Sequence, residues 1–187
     1  MKQKYTVLLS ALFATTAITA QSQDLDAYKL QAISDAKTLN QNAVVLDAIK
    51  KQNDLHATFT EAKILELDVA WRSEVKSNEY KIVSSVKTSK ASSELSNIKE
   101  SSQGTYGEIF IMDNKGLNVA MSDVTSDYWQ GDEAKWQKTY LMGADAVHTS
   151  DVEFDESVQA YTSQISTALT DETGAVIGAI TFGVIME

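Results

Sequence analysis

The residues best suited to chemistry lie between positions 123 and 140, where carboxylates alternate with aromatic rings. The side chains concerned are Asp123, Asp127, Tyr128, Trp129, Asp132, Glu133, Trp136 and Tyr140. Aromatic faces beside carboxylates suit a positively charged ligand, because charge pairing and cation–π contact act on the same group. The segment therefore predicts a binding site for a small amine.

A helix over Asp132–Met142 would bring part of this segment to one face. Asp132, Trp136 and Tyr140 lie four residues apart in that helix, so that one carboxylate and two rings point the same way. The pair Tyr128–Trp129 precedes the helix and is predicted to line the pocket. An alternative stays open, in which the rings fill the hydrophobic core and the acids stabilise the first turn of the helix.

Neither a metal centre nor a catalytic centre is predicted. The acids of this segment offer the oxygen ligands that calcium prefers, but their spacing differs from that of an EF-hand loop. The two histidines, His56 and His148, belong to no recognisable triad or metal motif. The chain contains no cysteine, which excludes thiolate metal sites and cysteine nucleophiles. We therefore expect a binding protein without a cofactor rather than an enzyme.

The composition describes one acidic globular domain. The chain has 187 residues, of which 43% are hydrophobic and 22% are charged, so that wholesale disorder is not expected. The formal net charge of −10 argues against nucleic acids and anionic membrane surfaces as partners. Cationic and neutral ligands stay open.

The first twenty residues have the pattern of a signal peptide. Lys2 and Lys4 are followed by an uncharged, largely apolar run over Val7–Ala20, which is shorter than a membrane span requires. Cleavage is predicted after Ala20, with Ala17 as the alternative. The mature protein is therefore expected in the periplasm or outside the cell.

A long helix is predicted at the start of the mature chain. Apolar residues at steps of three and four predict one helix from Asp24, its N-cap, to about Asn53. Its apolar stripe packs either on the core of its own chain or against a second copy in a homodimer.

Further helices and two hairpins follow this helix. Thr58 and Glu61 predict a capping box for a helix that ends near Lys76. An extended or short helical piece is predicted within residues 78–86 and a third helix within residues 88–103. Strands are predicted over residues 108–112, 117–122, 161–169 and 175–186. This order predicts an α+β domain with one antiparallel sheet and helices segregated from it.

The segment from Ile109 to Val184 resembles the Cache sensor domains, also called PDC or extracellular PAS-like domains. The motifs that carry the resemblance are Phe110–Gly116, Thr125–Glu133 with Trp136–Gln137, Phe154–Ser157, Gln164–Ser166 and Gly174–Gly178. The second of these is similar to the S-D-Y-x-Q-x-D-E-x-W-W-Q signature of one subgroup. The resemblance implies a PAS-like antiparallel sheet of five to six strands in residues 58–187, with a long N-terminal helix in residues 21–57.

The resemblance also implies a function, which is that of a small-molecule sensor reporting to a separate membrane receptor or kinase. Its pocket would lie between the sheet and the loops around the middle motif. Asp155 matches an acid that holds the ligand amine in relatives, although Asp151–Glu156 taken alone is predicted as a solvated acidic loop. The arginine that clamps a ligand carboxylate in relatives is absent, and an acid of the last strand is replaced near Gly183.

Two functions are carried forward from the sequence. The first is an exported sensor domain, with these predicted ligand-binding residues: Asp127, Tyr128, Trp129, Asp132, Trp136, Tyr140 and Asp155. The second is an adaptor that docks on a membrane receptor through its N-terminal helix, without a ligand of its own.

Overall fold

A computed structural model describes residues 10–155 and 158–186, with side chains from Leu25 onward. The predicted signal peptide begins in residues 1–9, which lie outside the described residues, so its cleavage stays a prediction. The helices are α1 Ser10–Leu39, α2 Ala43–Leu55, α3 Glu61–Ser77, α4 Ile82–Lys87, α5 Lys90–Ser101 and α6 Ala134–Gln137. The strands are β1 Tyr106–Met112, β2 Asn118–Met121, β3 Val147–Thr149, β4 Glu153–Asp155, β5 Ala160–Thr170 and β6 Val176–Met186.

The described part of the chain forms one antiparallel sheet of six strands. The strand order is β2-β1-β6-β5-β3, and β4 pairs with β5 on the same edge as β3. The two longest strands, β5 and β6, pair from Tyr161 opposite Met186 to Thr170 opposite Val176. The predicted α+β fold class with a PAS-like antiparallel sheet is confirmed.

The two faces of this sheet differ in polarity because side chains alternate along each strand. Ile180, Phe182 and Val184 of β6 lie on the face that packs against α1, α2 and α5 in the larger hydrophobic core. Near β1 and β2, the opposite face holds a second hydrophobic cluster beneath α3 and α4. Toward β3 and β4 this opposite face is polar, with Thr181 and Gly183 among its β6 residues.

The single helix predicted over residues 24–53 is wrong, because a turn at residues 40–42 separates α1 from α2. Asn42 is the N-cap of α2, and its side-chain oxygen accepts a hydrogen bond from Val44 N at 2.9 Å. Asn40 turns toward the sheet, where it exchanges two hydrogen bonds of 2.8 Å with Thr170. Asparagine side chains favour caps and turns, and the apolar spacing continues across them and conceals the break.

Two predicted helix starts also need correction. Helix α1 begins at Ser10, so Asp24 lies within it and is not its N-cap. The N-cap of α3 is Thr60, whose hydroxyl oxygen accepts a hydrogen bond from Lys63 N at 3.3 Å. The predicted capping box of Thr58 with Glu61 is therefore replaced by a cap two residues later.

The helix predicted over residues 132–142 is shorter than expected. Glu133 has an extended backbone, with φ −103° and ψ 154°, so α6 begins only at Ala134. Its end is fixed by Thr139, whose hydroxyl donates a hydrogen bond to the carbonyl of Lys135 at 2.5 Å. The chain then continues into a 3₁₀ turn over Tyr140–Met142.

Within the described residues, the helices are too short or too polar to span a lipid bilayer.

Candidate functional site

A cleft of about 670 Å³ lies between α6 and the polar part of the sheet formed by β3, β4 and β5. Its lining comes from the start of α6, from the loop before β4 and from the strand residues that face α6. The lining residues are Glu133, Ala134, Lys135, Lys138, His148, Thr149, Ser150, Asp151, Glu153, Phe154, Asp155, Thr162 and Gln164. The cleft thus joins parts of the chain that are up to about thirty residues apart in sequence.

The sheet side of the cleft is acidic because of the register of a short edge strand. Glu153 pairs with Thr162, and Asp155 pairs with Ala160, so both acids of β4 share a face with Thr162 and Gln164 of β5. Asp151 precedes β4 and adds a third carboxylate to the lining. The sequence prediction of a merely solvated acidic loop missed this wall.

The helix side of the cleft carries two lysines. The Lys135 side chain is only 11% exposed, and its Nζ lies 2.9 Å from Glu133 Oε2 and 3.1 Å from Gln130 Oε1. It also lies 5.3 Å from the centre of the Phe110 ring, within the range of a cation–π contact. Its charge is therefore already balanced inside the protein, whereas Lys138 has no ion pair among the described residues.

Glu108 lies behind the cleft lining and connects three strands. It pairs with Gly183 of β6, which in turn pairs with Gln164 of β5. A Cβ atom on Gly183 would lie 2.6 Å from Glu108 Cγ, so only glycine leaves room for the glutamate side chain. Gln164 Nε2 donates a hydrogen bond of 3.1 Å to Glu108 Oε1 across this gap.

Burial and neighbouring charges shift two titratable groups of the site. Burial raises the pKa of Glu108 above its ordinary value, while Lys135 and the Gln164 amide oppose that rise. Burial, together with Lys138, lowers the pKa of His148 below its ordinary value, against the opposing effect of Asp151. His148 is therefore neutral near pH 7 and adds no positive charge to the cleft.

The charges of the lining do not cancel. Its acids are Glu133, Asp151, Glu153 and Asp155, and its bases are Lys135 and Lys138. The lining therefore holds four carboxylates and two lysines, of which Glu133 and Lys135 pair with each other. This excess of negative charge favours a ligand that carries positive charge.

Tyr128 and Trp129, which the sequence assigns to the pocket, hold their loop onto the rest of the protein. Tyr128 is buried and stacks on Trp71, with ring centres 4.9 Å apart and an angle of 9° between the rings. The Trp129 indole donates a hydrogen bond of 2.9 Å to Lys115 O in the β1–β2 turn. Their packing fits the alternative in which the rings belong to the core.

Trp136 and Tyr140 also pack together beside the cleft. Their ring centres are 4.9 Å apart, and the Trp136 indole donates a hydrogen bond of 3.0 Å to Asp113 O. Both rings are partly buried and pack against the second hydrophobic cluster. Among the described residues of the cleft lining, Phe154 supplies the aromatic ring, so these four rings support the wall and do not form it.

Asp127 and Asp132 line a separate, smaller hollow of about 170 Å³, together with Trp129. Arg72, the one arginine of the sequence, lies in this hollow with its Nε 3.6 Å from Asp127 Oδ1. Arg72 also pairs with the buried carboxylate of Asp68. The structure therefore distributes the predicted site residues over two places, and Asp155 is the member that lines the larger cleft.

The residues that sequence reasoning missed come from separate strands. Glu108, Glu153, Thr162 and Gln164 gain their relation to one another only from strand register. One signal was available, because Thr162, Gln164 and Ser166 place a polar residue at every second position of a strand. Such a polar face inside a sheet covered by helices indicates a site rather than a core.

Comparison with solved structures identifies the fold. The sensor domain of DcuS from E. coli has a TM-score of 0.52 at 14% identity, covering 86% of this chain and 90% of that domain. The extracellular domain of the histidine kinase vpHK1S-Z8 has a TM-score of 0.51 at 11% identity, covering 95% of this chain and 59% of its own. The sensor domain of DctB from V. cholerae has a TM-score of 0.46 at 13% identity, covering 92% of this chain and 57% of its own.

The chain therefore spans less than two thirds of the DctB and vpHK1S-Z8 structures and most of the DcuS domain. No protein-family model matches the chain, and no curated protein matches it in sequence. The likeness at this level of identity concerns the fold, and it confirms the resemblance predicted from the sequence motifs. The chain has the fold of the Cache, or PDC, sensor domains.

Proposed function

We propose that this protein is an exported sensor domain that binds a small amine in the cleft between α6 and strands β3, β4 and β5. The observation that carries the proposal is the composition of the lining, which holds four carboxylates, among them Asp151, Glu153 and Asp155, against two lysines. An ammonium group placed against Glu153 and Asp155 would form charge-assisted hydrogen bonds. The fold supports this assignment, because the similar structures are sensor domains.

The proposal includes the predicted processing and partner. Residues 1–20 would be removed as a signal peptide, and residues 21–187 would form the mature domain. Its output would pass to a separate membrane receptor or kinase, with α1 as the contact, either as a single chain or as a homodimer.

We propose binding rather than catalysis because the buried histidine already has a structural role. His56 Nδ1 lies 2.7 Å from Asp113 Oδ2, and this pair joins α2 to the β1–β2 turn. Gln52 Nε2 also donates to this carboxylate at 3.1 Å. The histidine and its acid are thus engaged in holding the fold together.

Thermal denaturation of the exported protein tests the proposal. The cationic probes are methylamine, ethanolamine, putrescine and choline, and the anionic probes are acetate and succinate. At a concentration of about one hundred times Kd, a ligand adds about 2.7 kcal/mol of stability. For a domain of this size, that raises Tm by roughly 5–10 °C.

Variants locate the binding to the cleft. Asp155→Asn is expected to weaken binding of the effective amine roughly tenfold, because a neutral amide replaces a charged acceptor. Glu79→Gln, which changes an exposed acid between α3 and α4, is the matched control and should leave the affinity unchanged. Stabilisation by succinate and by no amine would contradict the assignment of an amine ligand. Stabilisation by none of the probes would contradict both the amine ligand and the binding role of the cleft.

A further inference from the structure

We propose that Glu108 is a positioning residue that decides which end of the Gln164 amide faces the cleft. The inference rests on the proposed function, since it assigns to the site a floor that accepts hydrogen bonds from an ammonium ligand. It arises from the gap at Gly183, which lets one glutamate reach across a neighbouring strand.

The geometry places three residues of three strands side by side. Glu108 is opposite Gly183, and Gly183 is opposite Gln164, so Glu108 and Gln164 flank a position that has no side chain. A Cβ there would lie 2.6 Å from Glu108 Cγ and 3.2 Å from Glu108 Oε1. The hydrogen bond of 3.1 Å from Gln164 Nε2 to Glu108 Oε1 passes over this gap.

This hydrogen bond fixes the direction of an amide that lines the cleft. An ionised carboxylate only accepts hydrogen bonds, so it holds the Nε2 end of Gln164 toward itself. Gln164 Oε1 has no hydrogen-bond partner among the described residues and is the end left for a ligand. With Glu108 ionised, the floor of the cleft therefore accepts hydrogen bonds, as an ammonium group requires.

Protonation of Glu108 reverses this arrangement. A protonated carboxyl has a hydroxyl that donates to Gln164 Oε1, which turns Nε2 toward the cleft. The floor then offers N–H donors to a ligand that itself has only donors. We therefore expect amine affinity to fall as pH falls through the titration of Glu108.

The charges around Glu108 act in both directions. Lys135 of α6 favours the ionised form, whereas Asp155 of β4 and Asp123 after β2 disfavour it. An ammonium ligand bound beside Asp155 would add a second positive charge and favour the ionised form further. Binding and ionisation of Glu108 are thus expected to support each other.

NMR of the Gln164 side-chain amide tests the inference without a ligand. In the wild-type protein, the two amide proton resonances of Gln164 should shift as the pH is raised through and above the ordinary titration range of a glutamate. In Glu108→Gln, they should stay constant, because the new amide offers its oxygen to Gln164 at every pH. Glu79→Gln should behave like the wild type. A Gln164 amide that shifts equally in the wild type and in Glu108→Gln, or in neither, would overturn the proposal.

Binding of ethanolamine, measured by calorimetry, adds a second readout. The wild-type affinity should fall more steeply toward acidic pH than the affinity of Glu108→Gln. Gly183→Ala keeps the carboxylate but displaces it, and should weaken binding roughly tenfold. Equal pH dependence in all three proteins would contradict the proposed role. If ethanolamine binds none of them, the amine assignment fails, and the Gln164 amide titration alone decides the role of Glu108.

Discussion

Asp68 of α3 holds the loop that carries the aromatic–acidic motif, and this contact gives the sharpest stability prediction. Its Oδ1 accepts hydrogen bonds from the backbone N–H groups of Tyr128 at 2.9 Å and Trp129 at 3.1 Å. Its Oδ2 pairs with Arg72, one helical turn along α3. The residue is only 3% exposed, so both kinds of contact are made in a nearly dry environment.

Two substitutions separate the acceptor from the charge. Asp68→Ala leaves two backbone N–H groups without a partner, each at about 1–3 kcal/mol, so the free energy of unfolding should fall by about 2–6 kcal/mol. Asp68→Asn keeps Oδ1 and removes the charge together with Oδ2, the acceptor of the Arg72 contact. Because the Arg72 side chain is 54% exposed, the loss of its ion pair should lower the free energy of unfolding by about 1 kcal/mol or less.

Urea unfolding, monitored by the fluorescence of the three tryptophans, measures the free energy of unfolding of both variants. Two of these tryptophans lie at positions 129 and 136. Asp127→Asn is the control, because Asp127 faces the same arginine at 3.6 Å from a more exposed position. Its effect should stay within about 0.5 kcal/mol. Equal losses in Asp68→Asn and Asp68→Ala would refute the reasoning, since the charge and not the acceptor would then hold the loop.

Two further predictions concern the helix break and the buried glutamate. Asn42→Ala should lower the free energy of unfolding by about 1 kcal/mol, and Tm by roughly 2–4 °C, because α2 loses its N-cap. Asn42→Ser should keep most of this stability, because serine is also a good N-cap residue. Equal losses in thermal denaturation of the two variants would contradict the role of Asn42 as the cap. Because the pKa of Glu108 is raised in the folded protein, the unfolded chain loses the carboxyl proton of Glu108 at a lower pH than the folded protein does. The free energy of unfolding should therefore fall as pH rises from the ordinary pKa of a glutamate to the raised pKa of Glu108. Glu108→Gln should remove this fall in urea unfolding at a series of pH values, and a pH dependence equal to that of the wild type would contradict the assignment.

The sheet was largely accessible to sequence reasoning, and the helix boundaries were not. The predicted strands at residues 108–112 and 161–169 lie within β1 and β5, and the one at residues 175–186 starts one residue before β6, because apolar runs and alternation act within a strand. The break between α1 and α2 depends on Asn40, whose side chain bonds to Thr170 in a strand far along the sequence. A contact between residues so far apart in the sequence leaves no signal near residue 40 other than the asparagine itself.

The candidate site shows the same limit more strongly. The segment over residues 123–140 concentrates rings and acids, and the structure uses its rings to fasten a loop to the core. Acids of the cleft wall come instead from Glu153 and Asp155, in a three-residue edge strand with no alternation to predict it. The family resemblance named Asp155 alone of these two. Their relation to Gln164 exists only through strand pairing.

Polar residues behind the cleft lining support the site assignment independently of the charge of the lining. Ser166 and Thr181 are fully buried and bond to each other at 2.9 Å on the face where Phe110 and Ala179 form a hydrophobic cluster. An apolar pair at these two positions would extend that cluster, and burial of ionised Glu108 lowers stability further. Residues that depart from core patterning without a gain in packing are characteristic of functional sites. The stability that these buried polar groups forgo supports the proposed binding site, whose lining holds more carboxylates than lysines.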